Sequence, residues 1–246
     1  MSDPGSGKGT GRNHSVNRRD FLRISGTVYL VAAVGCGKAK AREHPQTPTA
    51  PPMEKVDRSK LTFPPSQGYL LVDFKKCQGC LTCMLACSLA HEGRENLSLA
   101  RLQVTQDPFG RFPGDVAVEP CRQCLDPECL KACPTGALHV DRANGDIRTV
   151  DKRKCVGCMS CVEACPFQTG RAIWNHEDEH AVKCDLCADT PHWNGKGGPG
   201  GRQLCVEVCP VGAIRLTREI PLQKGCAGYN VNLRGEAWEK MGYSID

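Results

Sequence analysis

Aromatic side chains are scarce in this sequence: Phe, Trp and Tyr make up 5% of its 246 residues. Rings supply much of the buried area of an ordinary core. A core built from side chains alone would therefore be thin, and something else must fill it. Long apolar runs are also missing. None reaches the about 18 residues that a membrane-crossing helix needs. Excess charge is small. The net +5 lies largely near the N-terminus and gives no ground for nucleic-acid binding. Roughly 180 residues from Gly68 onward read as foldable, enough for one or two small domains.

What the chain has in quantity is cysteine. Sixteen of its eighteen cysteines fall into four tight groups. In group I, Cys77, Cys80, Cys83 and Cys87 read C-x2-C-x2-C-x3-C. In group II, Cys121, Cys124, Cys129 and Cys133 read C-x2-C-x4-C-x3-C. In group III, Cys155, Cys158, Cys161 and Cys165 repeat the first spacing, and in group IV Cys184, Cys187, Cys205 and Cys209 read C-x2-C-x17-C-x3-C. Pro134, Pro166 and Pro210 follow the last cysteine of groups II, III and IV. These runs resemble that of bacterial ferredoxins, in which three thiolates hold one [4Fe–4S] cluster and the fourth holds its neighbour. Four runs predict four clusters. Inorganic cores would also supply the missing volume and cross-links, so the apo chain should fold poorly.

Two other readings of the cysteines compete with this one. Zinc ribbons use paired C-x2-C ligands, but not three or four cysteines in one short run repeated four times. Disulfide frameworks do not repeat this motif, and cysteines so close in sequence bridge poorly. The group at Cys184, with its long interruption, stays open to another metal or a [3Fe–4S] cluster. Lys76, Lys154 and Lys183 each precede the first cysteine of a group. Each is either a counter-charge to a cluster or a solvated lysine.

Residues 1–41 read as an export address. Asn17-Arg18-Arg19-Asp20-Phe21-Leu22-Arg23 is a twin-arginine signature, followed by a modest apolar run from Ile24 to Gly35. Ala33-Val34-Gly35-Cys36 resembles a lipobox, Ala39-Lys40-Ala41 offers an alternative cleavage site, and an uncleaved segment is the third outcome. Residues 42–66, with Pro45, Pro48, Pro51, Pro52, Pro64 and Pro65, read as a semi-extended linker that does not pack. The expected location is the periplasm or the outer face of the cytoplasmic membrane.

The expected fold is α+β: interleaved dicluster ferredoxin units of short strands, short helices and long loops over residues 67–220, with 221–246 a C-terminal extension. Strands are expected at Tyr69–Phe74, Ala137–Asp141, Ile147–Asp151, Arg171–Trp174, Ala181–Lys183 and Ala213–Thr217. Asn144-Gly145 signals a type I′ hairpin. Short helices are expected around Leu85–His91, Cys129–Cys133, Cys161–Cys165 and Cys205–Cys209. Groups II and III form an inner dicluster unit at 119–170, leaving groups I and IV to pair around it. The ligand sets that follow are Cys121, Cys124 and Cys129 with Cys165; Cys155, Cys158 and Cys161 with Cys133; Cys77, Cys80 and Cys83 with Cys209; and Cys184, Cys187 and Cys205 with Cys87.

Some motifs are decoys. Pro4-Gly5-Ser6-Gly7-Lys8-Gly9-Thr10 looks like a phosphate loop but has no strand before it. His176-Glu177-Asp178-Glu179-His180 matches H-E-x-x-H but reads as a hairpin tip, not the helix that a zinc protease requires. The glycine-rich stretch from Gly195 to Gly201 reads as a flexible loop, with partner contact as the alternative. Cys226 reads as an inert thiol.

The four-group pattern resembles the iron–sulfur subunits of the dimethyl sulfoxide reductase family of molybdenum and tungsten enzymes. The segments Cys129-Leu130-Lys131-Ala132-Cys133-Pro134-Thr135-Gly136 and Cys205-Val206-Glu207-Val208-Cys209-Pro210-Val211-Gly212 carry the match, with Cys77-Gln78-Gly79-Cys80 and Cys155-Val156-Gly157-Cys158. Cys87 to Gly93 and Asp107-Pro108-Phe109-Gly110 also look like the subunits that accompany tungsten aldehyde ferredoxin oxidoreductases. The resemblance implies a non-catalytic electron wire. It would link a molybdenum- or tungsten-type catalytic subunit to a membrane quinone-linked or other redox partner. Any quinone chemistry would need that partner, since the chain lacks the C-terminal membrane helix of some relatives. A catalytic cluster would need an iron with an open position, hence a group short of a ligand, and none is short by count. A zinc-stabilised interaction module is the third possibility, and it would be colourless where [4Fe–4S] proteins are brown.

Overall fold

The computed structural model describes residues 56–112, 114–225 and 228–242. The signal region, Cys36, the phosphate-loop decoy, the start of the linker and Cys226 lie outside the described residues. Eight strands pair two by two, all antiparallel. Strand β1 (Tyr69–Val72) pairs with β8 (Ile214–Thr217), so the two ends of the cysteine region meet. The rest are hairpins: β2 (Gln103–Gln106) with β3 (Val116–Glu119), β4 (Leu138–Asp141) with β5 (Ile147–Val150), and β6 (Ala172–Asn175) with β7 (His180–Lys183). Between them lie α1 (Thr82–Glu92), α2 (Glu128–Lys131), α3 (Ser160–Glu163), α4 (Leu204–Glu207) and the terminal α5 (Glu236–Lys240).

The expected strands and helices are present with ends shifted by a few residues. The long insertion at 92–118 holds a hairpin that was not expected, β2–β3. The turn at Asn144-Gly145 differs in kind from its expectation. Positive φ falls on Gly145 (70°) and Asp146 (59°), not on Asn144. The Asp141 carboxylate accepts the Ala143 and Asn144 N–H groups at 3.0 and 3.2 Å, which opens a longer loop in place of a two-residue turn. Asn175 does the same for Glu177 and Asp178 at 2.9 and 3.2 Å, so the two hairpins share one construction.

Both flanks pack, the N-terminal one where a linker was expected. Val56 and Leu61 lie against Tyr69, Leu125, Ile220 and Tyr229, so the described part of 42–66 is not a free tether. The C-terminal extension runs beside β1: Val72 N–H donates to Tyr229 O and Val231 N–H to Val72 O, both at 2.8 Å. The cause is β1 itself. Tyr-Leu-Leu-Val is buried at every position, and both of its edges need partners. Asp73, also buried, anchors the extension by accepting from Leu233 N–H at 2.8 Å and Arg234 Nε at 3.2 Å.

None of these sheets has a third strand, and α2–α4 are single turns. Two-stranded hairpins and such short helices are marginal in water alone. The main apolar cluster joins Leu70, Val72, Met84, Leu102, Ile147 and Leu186 to five cysteines: Cys83, Cys87, Cys121, Cys184 and Cys205. The core is thus built around the thiols. Stripping the bound metal with acid and chelator should abolish cooperative thermal unfolding and near-UV circular dichroism. A sharp transition in the stripped protein would show that side-chain packing suffices.

Candidate iron–sulfur centres

Each cysteine group opens with the same backbone device. The residue just before the second cysteine is left-handed in all four: Gly79 (65°), Gln123 (47°), Gly157 (71°) and Leu186 (56°). Glycine takes this conformation without strain, whereas Gln123 and Leu186 are held there by their surroundings. Gln123 is fully buried; its Nε2 donates to Cys184 O at 2.8 Å and its Oε1 accepts Arg148 N–H at 2.7 Å. In groups I and III the residue after the second cysteine is left-handed too, Leu81 at 61° and Met159 at 60°. It starts the helix that carries the third cysteine.

That helix then carries the fourth cysteine away from the first three. On α1, Cys83 and Cys87 are one turn apart and both buried. A main-chain N–H further along the chain donates to the fourth sulfur in each group: Arg101 to Cys87 (3.3 Å), Leu138 to Cys133 (3.3 Å), Arg171 to Cys165 (3.2 Å) and Ala213 to Cys209 (3.2 Å). Such donors favour the thiolate over the thiol.

The structure brings together the cysteines that the spacing paired. Cys121, Cys124, Cys129 and Cys165 line one cavity of about 370 Å³. Cys155, Cys158, Cys161 and Cys133 line a second, of about 320 Å³. Cys77, Cys80, Cys83 and Cys209 line a third, of about 340 Å³. Around group IV, Cys205 faces Cys187, Cys184 and Cys87 closely enough for each charge to raise its pKa. The sets adjoin in the order I, IV, II, III. Cys205 lies by Cys83, Cys184 by Cys121, and Cys129 by Cys161.

Exposure follows that order. Cys80 of group I and Cys158 of group III are exposed, whereas Cys87, Cys184, Cys187 and Cys205 are all buried. Burial pushes the thiols of Cys83, Cys87, Cys124, Cys184 and Cys187 up to about 12, and those of Cys129 and Cys161 to about 11. At the exposed ends Thr82 Oγ1 and Ser160 Oγ donate to Cys80 and Cys158, each at 3.4 Å, and lower their pKa values. Four clustered sulfurs with aimed N–H donors fit a cubane. The buried thiols would give up their protons to iron on loading.

The three lysines differ. Lys154 is a surface residue 3.7 Å from Asp151, and Lys76 Nζ donates to the carbonyls of Gly212 and Leu233 at 3.2 and 3.1 Å. Lys183 is buried, with Nζ donating to Arg148 O and, at 3.2 Å, to Cys184 O. Group IV has a buried ion network that was not foreseen. Asp185 meets Arg101 at 2.8 Å and His91 at 3.1 Å. Burial opposes its charge, yet His91 and Arg101 hold its carboxyl down at about 2. The glycine-rich stretch is part of this group rather than a free loop. Gly198 N–H donates to Leu186 O at 2.8 Å, and a Cβ on Gly197 would collide with Cys187 O. The H-E-x-x-H segment is a hairpin tip between β6 and β7.

A family model described as a 4Fe-4S dicluster domain matches residues 114–219. The putative electron transport protein YsaA of Escherichia coli is 33% identical over 154 residues, 60% of this chain and 87% of that one. The chain belongs to the 4Fe-4S dicluster family of iron–sulfur subunits. Within that family, the electron transfer subunit PhsB of thiosulfate reductase from Salmonella typhi is 34% identical, over 62% of this chain and 77% of its own. The polyferredoxin-like subunit of an aliphatic sulfonate oxidoreductase from Pyrococcus furiosus is 38% identical, over 57% and 70%. The resemblance to oxidoreductase iron–sulfur subunits is borne out, and electron transfer is the activity that goes with it.

Sequence reasoning missed the cations around group II: Arg122, Arg148 and Arg171 line the same cavity as Lys183. Arg122 inside the C-x2-C loop was a visible signal. Arg148, on a strand far from any cysteine, was not. If Cys165 serves the group II cavity, Cys165→Ser should perturb the same EPR signal as Cys121→Ser. A change shared with Cys155→Ser instead would refute the crossing.

Proposed function

We propose that this dicluster-family chain holds four [4Fe–4S] clusters on the sixteen cysteines of groups I–IV and serves as the non-catalytic electron-transfer subunit of an exported respiratory oxidoreductase. The observation that carries this reading is the crossing of the fourth cysteines. Each joins three cysteines of another group, so every set has four thiols and none has an open position. When bound, the clusters supply one-electron chemistry at potentials tuned by hydrogen bonds, burial and nearby charge. The chain's own part is to hold them in the order I, IV, II, III and to keep water from the middle. Cys80 and Cys158 mark the two places where electrons enter or leave.

Two exposed ends call for two partners. The reading is a molybdenum- or tungsten-type catalytic subunit at one and a membrane quinone-linked or other redox protein at the other. Relatives bear names such as thiosulfate reductase electron transfer subunit and formate dehydrogenase iron-sulfur subunit, which supports partnership with a catalytic chain. Among the described residues no helix is long and apolar enough to cross a membrane, and the reading places membrane association on a partner or on lipid at Cys36. The twin-arginine segment supports export after cluster insertion.

After anaerobic purification the chain should contain about 16 irons and as many sulfides, four of each per cluster. Its dithionite-reduced EPR spectrum should show interacting [4Fe–4S] signals. Zinc in place of iron would overturn the reading, and about 12 irons would mean that one set is altered. Replacing Arg18 and Arg19 by lysine should hold the brown protein inside the cytoplasm. Undiminished export would remove the export claim.

A further inference from the structure

Lys183 and Arg148 are two buried cations at one cysteine set. Their side chains are in the interior, at 3% and 1% exposure for the whole residues. Lys183 Nζ donates to the carbonyl oxygens of Arg148 and Cys184 and lies against the Cys121 sulfur. Arg148 Nη1 donates to Asp146 O at 2.6 Å, while its Nε and Nη2 have no hydrogen-bond partner among the described residues. Among those residues neither cation forms an ion pair with a carboxylate. By contrast, Arg171, on the same cavity, is paired with Glu119 at 2.9 Å. Burying an uncompensated cation is costly unless an opposite charge waits beside it. Here the facing groups are the sulfurs of Cys121, Cys124 and Cys129, with Cys184 of group IV also beside Lys183 and with Tyr69 and Asp146 also beside Arg148.

The other three sets lack this pair: Lys183 also neighbours Cys184 of group IV, whereas the cysteines beside Arg148 are Cys121 and Cys124. The cavities of groups I and III are lined by no charged side chain. Group IV has a buried carboxylate, Asp185, between Cys184 and Cys187, with Arg101 and His91 as its counter-groups. A reduced cluster carries one more negative charge than an oxidised one, and a fixed cation in a low-dielectric site favours the added electron. We infer that Lys183 and Arg148 make the cluster held by Cys121, Cys124, Cys129 and Cys165 the most readily reduced of the four, an electron reservoir inside the chain rather than at either end. This rests on the four-cluster reading proposed above.

The test is an EPR-monitored redox titration of the anaerobically purified, cluster-loaded chain. The signal altered by Cys165→Ser identifies the group II cluster. It should be the first to appear on reduction of the unaltered chain. In Lys183→Met its reduced-to-oxidised ratio at a fixed potential should fall by about tenfold, which is about 59 mV for one electron. The other three signals should move less, and Lys183→Arg should restore most of the ratio. Arg148→Met should act in the same direction, and it carries the test if Lys183→Met fails to load iron. A group II signal that appears after another signal, or that keeps its potential in a loaded Lys183→Met or Arg148→Met protein, would overturn the inference while leaving the four-cluster reading intact. Absence of [4Fe–4S] signals from the unaltered chain would remove both.

Discussion

The fold depends on one directional constraint: the fourth cysteine of every group points away from the first three. A left-handed residue starts the helix in groups I and III and an extended one, Pro127 or Gln203, in groups II and IV, and the single-turn helices α2–α4 are too short to be stable alone. Each helix delivers its last sulfur to a neighbouring set. Cys133 and Cys165 exchange between groups II and III, and Cys87 and Cys209 between groups I and IV. Each exchange ties two stretches of chain that strand pairing alone would not secure. The four small sheets are the walls of this arrangement rather than its frame, because none could stand as a free hairpin.

Electrostatics gives the string of sites its character. The ends are exposed at Cys80 and Cys158, where side-chain hydroxyls favour thiolate, and the cysteines around group IV are buried. Group IV is sealed by the glycine-rich stretch, whose Gly197 has no room for a side chain against Cys187. Group II is lined by Arg122, Arg148, Arg171 and Lys183 together with Glu128. A chain built this way treats its terminal positions as contacts and its interior as storage. The charges responsible lie on β5, at the end of β7 and in the loop of group II, all fixed by the same packing that closes the core.

Much of this was legible in the cysteine spacing, because a metal-binding loop is local. C-x2-C-x2-C-x3-C specifies where the chain must turn and where a sulfur must leave, and the structure assembles the four sets that this implies. The strands flanking each group were legible too, as short apolar runs between turn residues. What escaped notice was non-local. The hairpin β2–β3 was hidden in the insertion between groups I and II, where Gln-Val-Thr-Gln has little apolar signal and Val-Ala-Val-Glu is only four residues long. The C-terminal segment looked like an appendage because nothing in it announces that Tyr229 and Val231 complete the free edge of β1. The type I′ turn failed because Asp141 captured the amides ahead of it. Lys183 looks like Lys154 in sequence, and only the packing separates a buried counter-charge from a solvated one.

The crossing of the fourth cysteines is the central claim, and an anomalous diffraction map recorded at the iron edge tests it most directly. The account predicts four separate iron peaks in the spatial order I, IV, II, III. Cys165 should join Cys121, Cys124 and Cys129 at one of them, and Cys87 should join Cys184, Cys187 and Cys205 at another. Peaks enclosed by the four cysteines of a single sequence run, or single-ion peaks at the zinc edge, would contradict it.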